Sequence, residues 1–480
     1  MGLKQKAVGG LFWTFIQQFS SKIITFVVSI ILARLLSPAE FGLIGMLSIF
    51  IGVGISLMDS GMTSSIIRTK DADQKDYSTV FVLNIAASVV IYVLVYLAAP
   101  YIASFYGHPV LKNILRVYAI SFFLSAFMGV QSAKLTKDMN FKAQMLIQIP
   151  SVIGSGILGV SLAYYGFGVW SLVYMSLCQT FLLSVQYWFH SDWRPSLRFY
   201  SENFKHHFSF GYKITLHGLI GTIYQNIFTV IIGKFYSADQ LGFYSRALSM
   251  RQFPISNLSA ALEKVTYPMF SSINDDNTKL KQVYRRLIQQ VVFWIIPLLT
   301  LLIVVAEPLF RFLLTEKWVP AVPYFQILCV SGMLLPLQSY NGNIIKVKGH
   351  TGVILKIQII EKIFALIGIV IAIPFGIHAL LYSQIFSALL SYNMVAYYGG
   401  RMIAYPISEQ LVDILPSVSL AMLIGFLIWL LDSFILKGYY LNDVSRVVIN
   451  GVLYFGMYLG ISSVLKLAAV GDFKNLVFNK

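Results

Sequence analysis

Apolar residues in this chain come in blocks of about twenty, the length a helix needs to cross a bilayer. Short stretches rich in Lys, Arg, Asp, Pro and Gly separate them. The most continuous blocks are 79–99, 115–133, 146–165, 169–189, 291–306, 325–338, 357–374, 379–398, 415–431 and 447–465. Segments 12–36, 41–62, 208–235 and 243–270 are similar in length but interrupted by polar residues. The period-two alternation that a membrane barrel requires is missing. The pattern predicts an all-α polytopic membrane protein of about 14 transmembrane helices.

Composition agrees. Hydrophobic residues make up 57% of the 480 and charged residues 12%, about half the charged share of a soluble domain. Mean hydropathy is +0.73. The net charge of +16 would suggest nucleic acid in a soluble protein, but here loop charge explains it. With Lys4 and Lys6 placed inside and the spans alternated, the inner loops collect Arg68, Lys134, Arg194, Lys205, Lys281, Arg285, Lys346, Arg401 and their basic neighbours. The outer side keeps Arg34, Lys112, Arg116, Lys234, Arg311, Lys317, Lys437 and Arg446. The bias is roughly three to one, as the positive-inside rule expects, and it places both termini in the cytoplasm. The first apolar stretch is broken by Gln17, Gln18 and Lys22 and has no small-residue cleavage site, so it reads as a retained helix. Cys178 and Cys329 lie inside apolar blocks and read as small buried hydrophobes.

The chain also repeats itself. Residues 31–42, ILARLLSPAEFG, match 231–242, IIGKFYSADQLG, at an offset of 200. Both copies have an apolar helix end, a basic residue, a Ser-led turn and a Gly in the next helix. An even number of spans separates them, so they share one orientation, which implies parallel repeats. The expected organisation is two pseudo-symmetric six-helix lobes, 1–199 and 200–400, followed by two C-terminal helices within 401–480.

The polar interruptions fall at helical spacing. Thr14, Gln18, Ser21 and Lys22 mark the first helix, and Gly45, Ser48, Gly52, Ser56 and Asp59 the second. The seventh carries His217, Thr222, Gln225 and Asn226; the eighth carries Ser245, Ser249, Gln252, Ser256, Ser259 and Glu263. Such stripes suit either a wet cavity or close packing through small residues. Lys22, Gln18, Gln225 and Asn226 are poor packing residues and favour the cavity. Ionisable residues at membrane depth cost about 2.5–3.5 kcal/mol on insertion scales. Lys22, Arg246, Arg251 and Lys362 outnumber Asp59, Glu263 and Glu361 there, which tilts a cavity toward an anionic substrate. Structural pairing competes with a substrate role at each of these positions.

No phosphate-binding GxxxxGK[ST], HExxH or GxSxG pattern occurs. The run from Ile31 to Ile66, ILARLLSPAEFGLIGMLSIFIGVGISLMDSGMTSSI, resembles the opening of Wzx-type polysaccharide flippases. So does Tyr244-Ser245-Arg246-Ala247, followed by Pro254 and by Tyr267-Pro268-Met269-Phe270-Ser271. These flippases belong to the multidrug/oligosaccharidyl-lipid/polysaccharide exporter superfamily. The resemblance implies transfer of an undecaprenyl-diphosphate-linked oligosaccharide, a repeat unit of lipopolysaccharide, capsule or exopolysaccharide, from the cytoplasmic to the periplasmic leaflet of a bacterial inner membrane. It makes Lys22, Arg246, Arg251 and Lys362 candidates for the diphosphate or acidic sugars, and Gln18, Gln225 and Asn226 candidates for sugar hydroxyls. Glu361 and Asp59 become candidates for ion coupling, with H+ or Na+ as the ion and no other cofactor or metal. Expected partners are the lipid-linked glycan, membrane lipids and the polysaccharide polymerase machinery, with no nucleic acid. One alternative is a multidrug-type antiporter of the same superfamily, which would want an acidic cavity. Another is a membrane-embedded oligosaccharide polymerase or ligase, which would want a large outer loop. The outer segments here, 101–112 and 307–323, are short.

Overall fold

The long apolar blocks fold as helices, because in lipid only intra-segment hydrogen bonding satisfies the backbone; the block 115–133 is divided by a turn at Ala119 and Ile120. The computed structural model describes the backbone of residues 3–438 and 441–471, and the side chains there except at 3–9, 11 and 256–265. The expected inner lysines Lys4, Lys6, Lys264, Lys474 and Lys480, and Ser256, Ser259 and Glu263 of the eighth-helix stripe, therefore lie outside the described residues. The chain divides into two compact units, Met1–Ser245 and Arg246–Lys480.

The first unit holds α1 (Leu3–Leu35), α2 (Pro38–Asp59), α3 (Met62–Arg68), α4 (Gln74–Tyr106), α5 (Val110–Tyr118), α6 (Ser121–Lys137), α7 (Phe141–Tyr164), α8 (Val169–His190), α9 (Ser201–Phe235) and the first turns of α10 (Ala238–Ser272). The second holds the rest of α10, then α11 (Asn277–Val304), α12 (Ala306–Leu314), α13 (Val322–Val347), α14 (Thr351–Ala372), α15 (Ile377–Met402), α16 (Ile407–Leu431) and α17 (Asp443–Val464). Among the described residues, 13 helical segments are long and apolar enough to cross a membrane. The 35-residue α10 has the length but is more polar. With it the count reaches the expected fourteen, and no strand occurs among the described residues.

Two stretches expected as outer loops are largely helical. Segment 101–112 contains the end of α4 and the start of α5, and 307–323 contains most of α12, a 3-10 turn at Glu316–Ala321 and the first residues of α13. Each short helix buries one apolar edge: Leu111, Ile114 and Leu115 in α5, and Pro308, Phe310 and Leu314 in α12. Too short to span, such helices gain their stability from that buried edge.

Local caps set the helix starts. The Asp73 carboxylate accepts from the backbone N–H of Lys75 and Asp76 at 2.8 and 3.0 Å, and Asp276 does the same for Lys279 at 2.9 Å. These bonds satisfy donors that a helix start leaves unpaired. The repeated motif also builds matching caps. The Ser37 N–H donates to Glu40 Oε2 at 2.6 Å. The Ser237 N–H donates to Gln240 Oε1 at 3.1 Å, and the Gln240 N–H returns to Ser237 Oγ at 3.2 Å. Five residues after each serine, the backbone touches the start of the other copy's helix. A Cβ on Gly42 would lie 1.9 Å from the Ala238 carbonyl oxygen, and one on Gly242 would lie 1.9 Å from the Pro38 carbonyl oxygen. The two copies thus cross reciprocally, each using its glycine to admit the other's helix start.

In the second unit, charged side chains fasten α16 and α17. At the basic end Lys281 Nζ lies 2.7 Å from Glu409 and donates to the Ala404 carbonyl at 2.8 Å. Arg285 pairs with Asp413. Burial, and then the Asp413 carboxylate, push the Tyr405 phenol well above its ordinary range, so Tyr405 stays protonated and donates to Asp413 at 2.6 Å. At the other end the buried Arg446 donates from Nε and Nη2 to Asp432 at 3.1 and 2.5 Å, and Asn450 adds a bond at 2.8 Å. Asp432 opens a π-helical turn, Asp432–Leu436, at the end of α16.

Candidate functional site

In the first unit the residues singled out from sequence lie on α1, α2 and α9. Gln18 and Gln225 are exposed; Lys22, Asn226 and Asp59 are half-buried. Asn226 is tied into the packing. Its carbonyl accepts from Ser48 Oγ of α2 at 3.1 Å, and its amide donates to the Thr222 carbonyl at 2.8 Å. The small residues of α2 sit in the same seam. A Cβ on Gly52 would meet Thr222 at 3.0 Å, and one on Gly45 would meet Ser245 at 3.2 Å. That part of the stripe lets α9 and the start of α10 approach closely, as small residues do in membranes. Asp59 ends α2, two residues before Gly61, which opens α3.

In the second unit Arg246 and Arg251 are buried, at 5% and 8% exposure. The Arg246 guanidinium lies 5.5 Å from the centre of the fully buried Trp318 ring. Arg251 Nη1 donates to Ser331 Oγ at 3.2 Å and to the Leu328 carbonyl at 3.4 Å. Both guanidinium groups therefore contact the α12–α13 region, where α13 supplies the hydrogen-bond partners of Arg251. Glu361 and the half-buried Lys362 lie elsewhere, on α14. Glu361 accepts from Ser391 Oγ of α15 at 3.0 Å. It lines a cavity of about 230 Å³ with Gln338, Ser339, Lys346, Gln358 and Ser391. A carboxylate, an ammonium, two amides and two hydroxyls on one hollow can bind a small cation or a hydroxylated group. Lys346 read from sequence as an inner-loop charge. Its place in the last turn of α13 brings it onto this hollow, and no local signal announces that.

Sequence reasoning also missed a buried cluster in the first unit. His207 of α9 is fully buried. Its Nδ1 lies 2.8 Å from Ser65 Oγ of α3, and its Nε2 lies 3.0 Å from Asp76 Oδ1 of α4. Asn203 donates to the same Asp76 oxygen at 2.6 Å, and the Asp73 N–H donates to the other at 3.0 Å. His207 lies 131 residues from Asp76 and 142 from Ser65 in sequence, and the only hint is a His-His pair opening a membrane-length segment. Among the described residues no group of three or more His, Cys, Asp or Glu side chains is placed to hold a metal.

Residues 31–323 match a family described as polysaccharide biosynthesis protein. The chain is 26% identical over 354 residues to the teichuronic acid biosynthesis protein TuaB of Bacillus subtilis (strain 168), covering 72% of each chain. It is 25% identical over 377 residues to the lipopolysaccharide biosynthesis protein WzxC of Escherichia coli (strain K12), covering 77% of this chain and 76% of that one. The fold resembles that of the lipid II flippase MurJ in an inward closed conformation. The TM-score is 0.77 at 14% identity, over 95% of this chain and 98% of that one.

Proposed function

We propose that this chain, which belongs to the polysaccharide biosynthesis protein family, is a flippase that carries an undecaprenyl-diphosphate-linked oligosaccharide across a bacterial inner membrane by alternating access. The carrying observation is the family match over 31–323, on a chain whose described helices include 13 of membrane-crossing length and apolarity. The relatives' names, for teichuronic acid and lipopolysaccharide biosynthesis, support a glycan as cargo. The fold likeness to a lipid II flippase supports a lipid-linked one.

In this reading Lys22, Arg246, Arg251 and Lys362 receive the diphosphate or acidic sugars. Guanidinium groups suit phosphate because their fork donates two parallel bonds. Gln18, Gln225 and Asn226 hydrogen-bond sugar hydroxyls. Glu361 and Asp59 serve ion coupling, with H+ or Na+ as the ion. The polyprenyl tail stays in lipid while the polar head group crosses, both termini face the cytoplasm, and the polymerase machinery receives the product.

Deleting the chain from its own cell and following radiolabelled lipid-linked sugars tests the reading. The expected result is loss of surface glycan with single lipid-linked repeat units retained on the cytoplasmic face. Single units delivered to the cell surface would instead mark a polymerase or ligase. Substitutions on α9 should separate ligand contact from packing. Gln225→Ala is expected to lower export severalfold with unchanged thermal stability of the purified chain. Asn226→Ala, which breaks the Ser48 bond, is expected to cost about 1 kcal/mol of stability, within the range for interhelical hydrogen bonds in membranes. Thermal unfolding in detergent and surface-glycan staining read the two effects.

A further inference from the structure

The join between α9 and the start of α4 is made by a titratable group. Imidazole is the side chain that changes charge between about pH 5 and 8, and His207 is fully enclosed with both ring nitrogens engaged. In the second unit α16 is fastened to the start of α11 at its basic end by Lys281 with Glu409 and Arg285 with Asp413. Lys and Arg keep their charge throughout that range. The α9 join sits beside a backbone contact that leaves no slack. Gly61 has φ +64°, a Cβ on it would lie 2.3 Å from the Gly211 carbonyl oxygen, and a Cβ on Gly211 would lie 2.5 Å from the Ser60 carbonyl oxygen.

We propose that Ser65, His207 and Asp76 form a proton-binding site, and that the proton held there governs the attachment of α9 to α3 and α4. With the ring neutral, Nε2–H donates to Asp76 and Nδ1 accepts from the Ser65 hydroxyl. A proton from water adds to the Nδ1 lone pair. Ser65 then turns its hydroxyl hydrogen away and accepts, and no other bond changes. The imidazolium so formed is enclosed away from water, and that desolvation disfavours it; a ring that has left Ser65 and Asp76 carries the same proton in contact with solvent. The join is therefore tight with the ring neutral and loosens as pH falls through the site's titration.

The neighbouring charges are held in other contacts. Arg68 of α3 lies over the Phe210 ring at 4.4 Å and Lys75 of α4 over the Tyr200 ring at 5.5 Å. Asp73 caps α4, Asp59 stands at the end of α2, and His206 stands edge-on to His207 at 5.2 Å. Because α9 also carries Gln225 and Asn226, a proton that frees its first turns offers a means of coupling transport to a proton gradient. That use of the proton rests on the flippase reading; the binding of the proton does not.

Ile66 is fully buried in a cluster that Phe204 of α9 packs against, so a cysteine there reports separation of α9. In the full chain with Cys178→Ala, Cys329→Ala and Ile66→Cys, reconstituted in liposomes, the probe is N-ethylmaleimide labelling as a function of pH. Labelling is normalised to the same chain carrying His207→Gln, which keeps a donor toward Asp76 but does not titrate. The normalised rate is expected to rise about tenfold as pH falls from about 8 to 5, and Asp76→Asn is expected to abolish the rise. A flat normalised profile overturns the site. If His207→Gln does not fold, Asp76→Asn supplies the reference with the same two outcomes. Export in the deleted cell separates the two readings. A pH step in a chain that restores no glycan export keeps the proton site and sinks the flippase. Restored export with a flat profile does the reverse.

Discussion

A methyl group on Gly42 or on Gly242 is expected to cost about 3 kcal/mol of stability, the upper end of what overpacking usually costs, and methyl groups on both little more than on one. Each Cβ would enter the carbonyl oxygen of the opposite helix start at 1.9 Å. The obstacle is backbone, so no rotamer relieves it, and α2 and α10 must separate. Once they have separated for the first methyl, space exists for the second. The two positions are therefore strongly coupled, unlike distant sites whose effects add. A loss of about 3 kcal/mol lowers the folded-to-unfolded ratio more than about a hundredfold. Gly42→Ala, Gly242→Ala and the double variant, compared by thermal unfolding of the purified chain, give the cycle. Additive losses would show that the two contacts are independent and that the reciprocal crossing does not act as one seam.

Arg446→Met is expected to lose more stability than Arg446→Met combined with Asp432→Asn. The pair is buried, with side-chain exposures of 6% and 8%. Removing one partner of a buried ion pair leaves the other charge unmatched at a cost of about 3–5 kcal/mol. Asn450 alone would remain on Asp432 Oδ1, too little to replace a bidentate guanidinium. Neutralising both partners removes the stranded charge and is expected to recover most of the loss. Arg446→Lys should fall between, since it keeps the charge and gives up the fork. Unfolding midpoints of the four chains decide it. A double variant as damaged as Arg446→Met would mean that the guanidinium stabilises chiefly through packing or its second contact, Asp443 at 3.6 Å.

The helices were legible because lipid imposes a length and an apolarity that a single segment must satisfy alone. The family likeness was legible for a related reason: the run from Ile31 to Ile66 is contiguous and falls within the matched residues 31–323. The Ser-led turns at Ser37 and Ser237 could be read too, since a cap and its partner lie three residues apart. Partnerships across helices left no such mark. Arg251 stood out as an intramembrane arginine, but nothing near it pointed to Ser331, 80 residues on. Asn226 was noticed for its polarity, while its bond to Ser48 spans 178 residues. Arg446 counted as one of the few outer charges because its mate, Asp432, sits in a π-helical turn that leaves no pattern in composition. The short helices α5 and α12 escaped because nine residues with one apolar edge resemble an amphipathic loop.

The charged lattice between α11 and α16 also has a timetable. Lys281 and Arg285 emerge from the ribosome more than a hundred residues before Glu409 and Asp413. In that interval they are unmatched cations at the end of a fresh apolar segment, the state in which basic residues fix which way a helix enters the bilayer. When α16 follows, its carboxylates neutralise them. The same two side chains thus steer the nascent segment first and become its fastening afterwards.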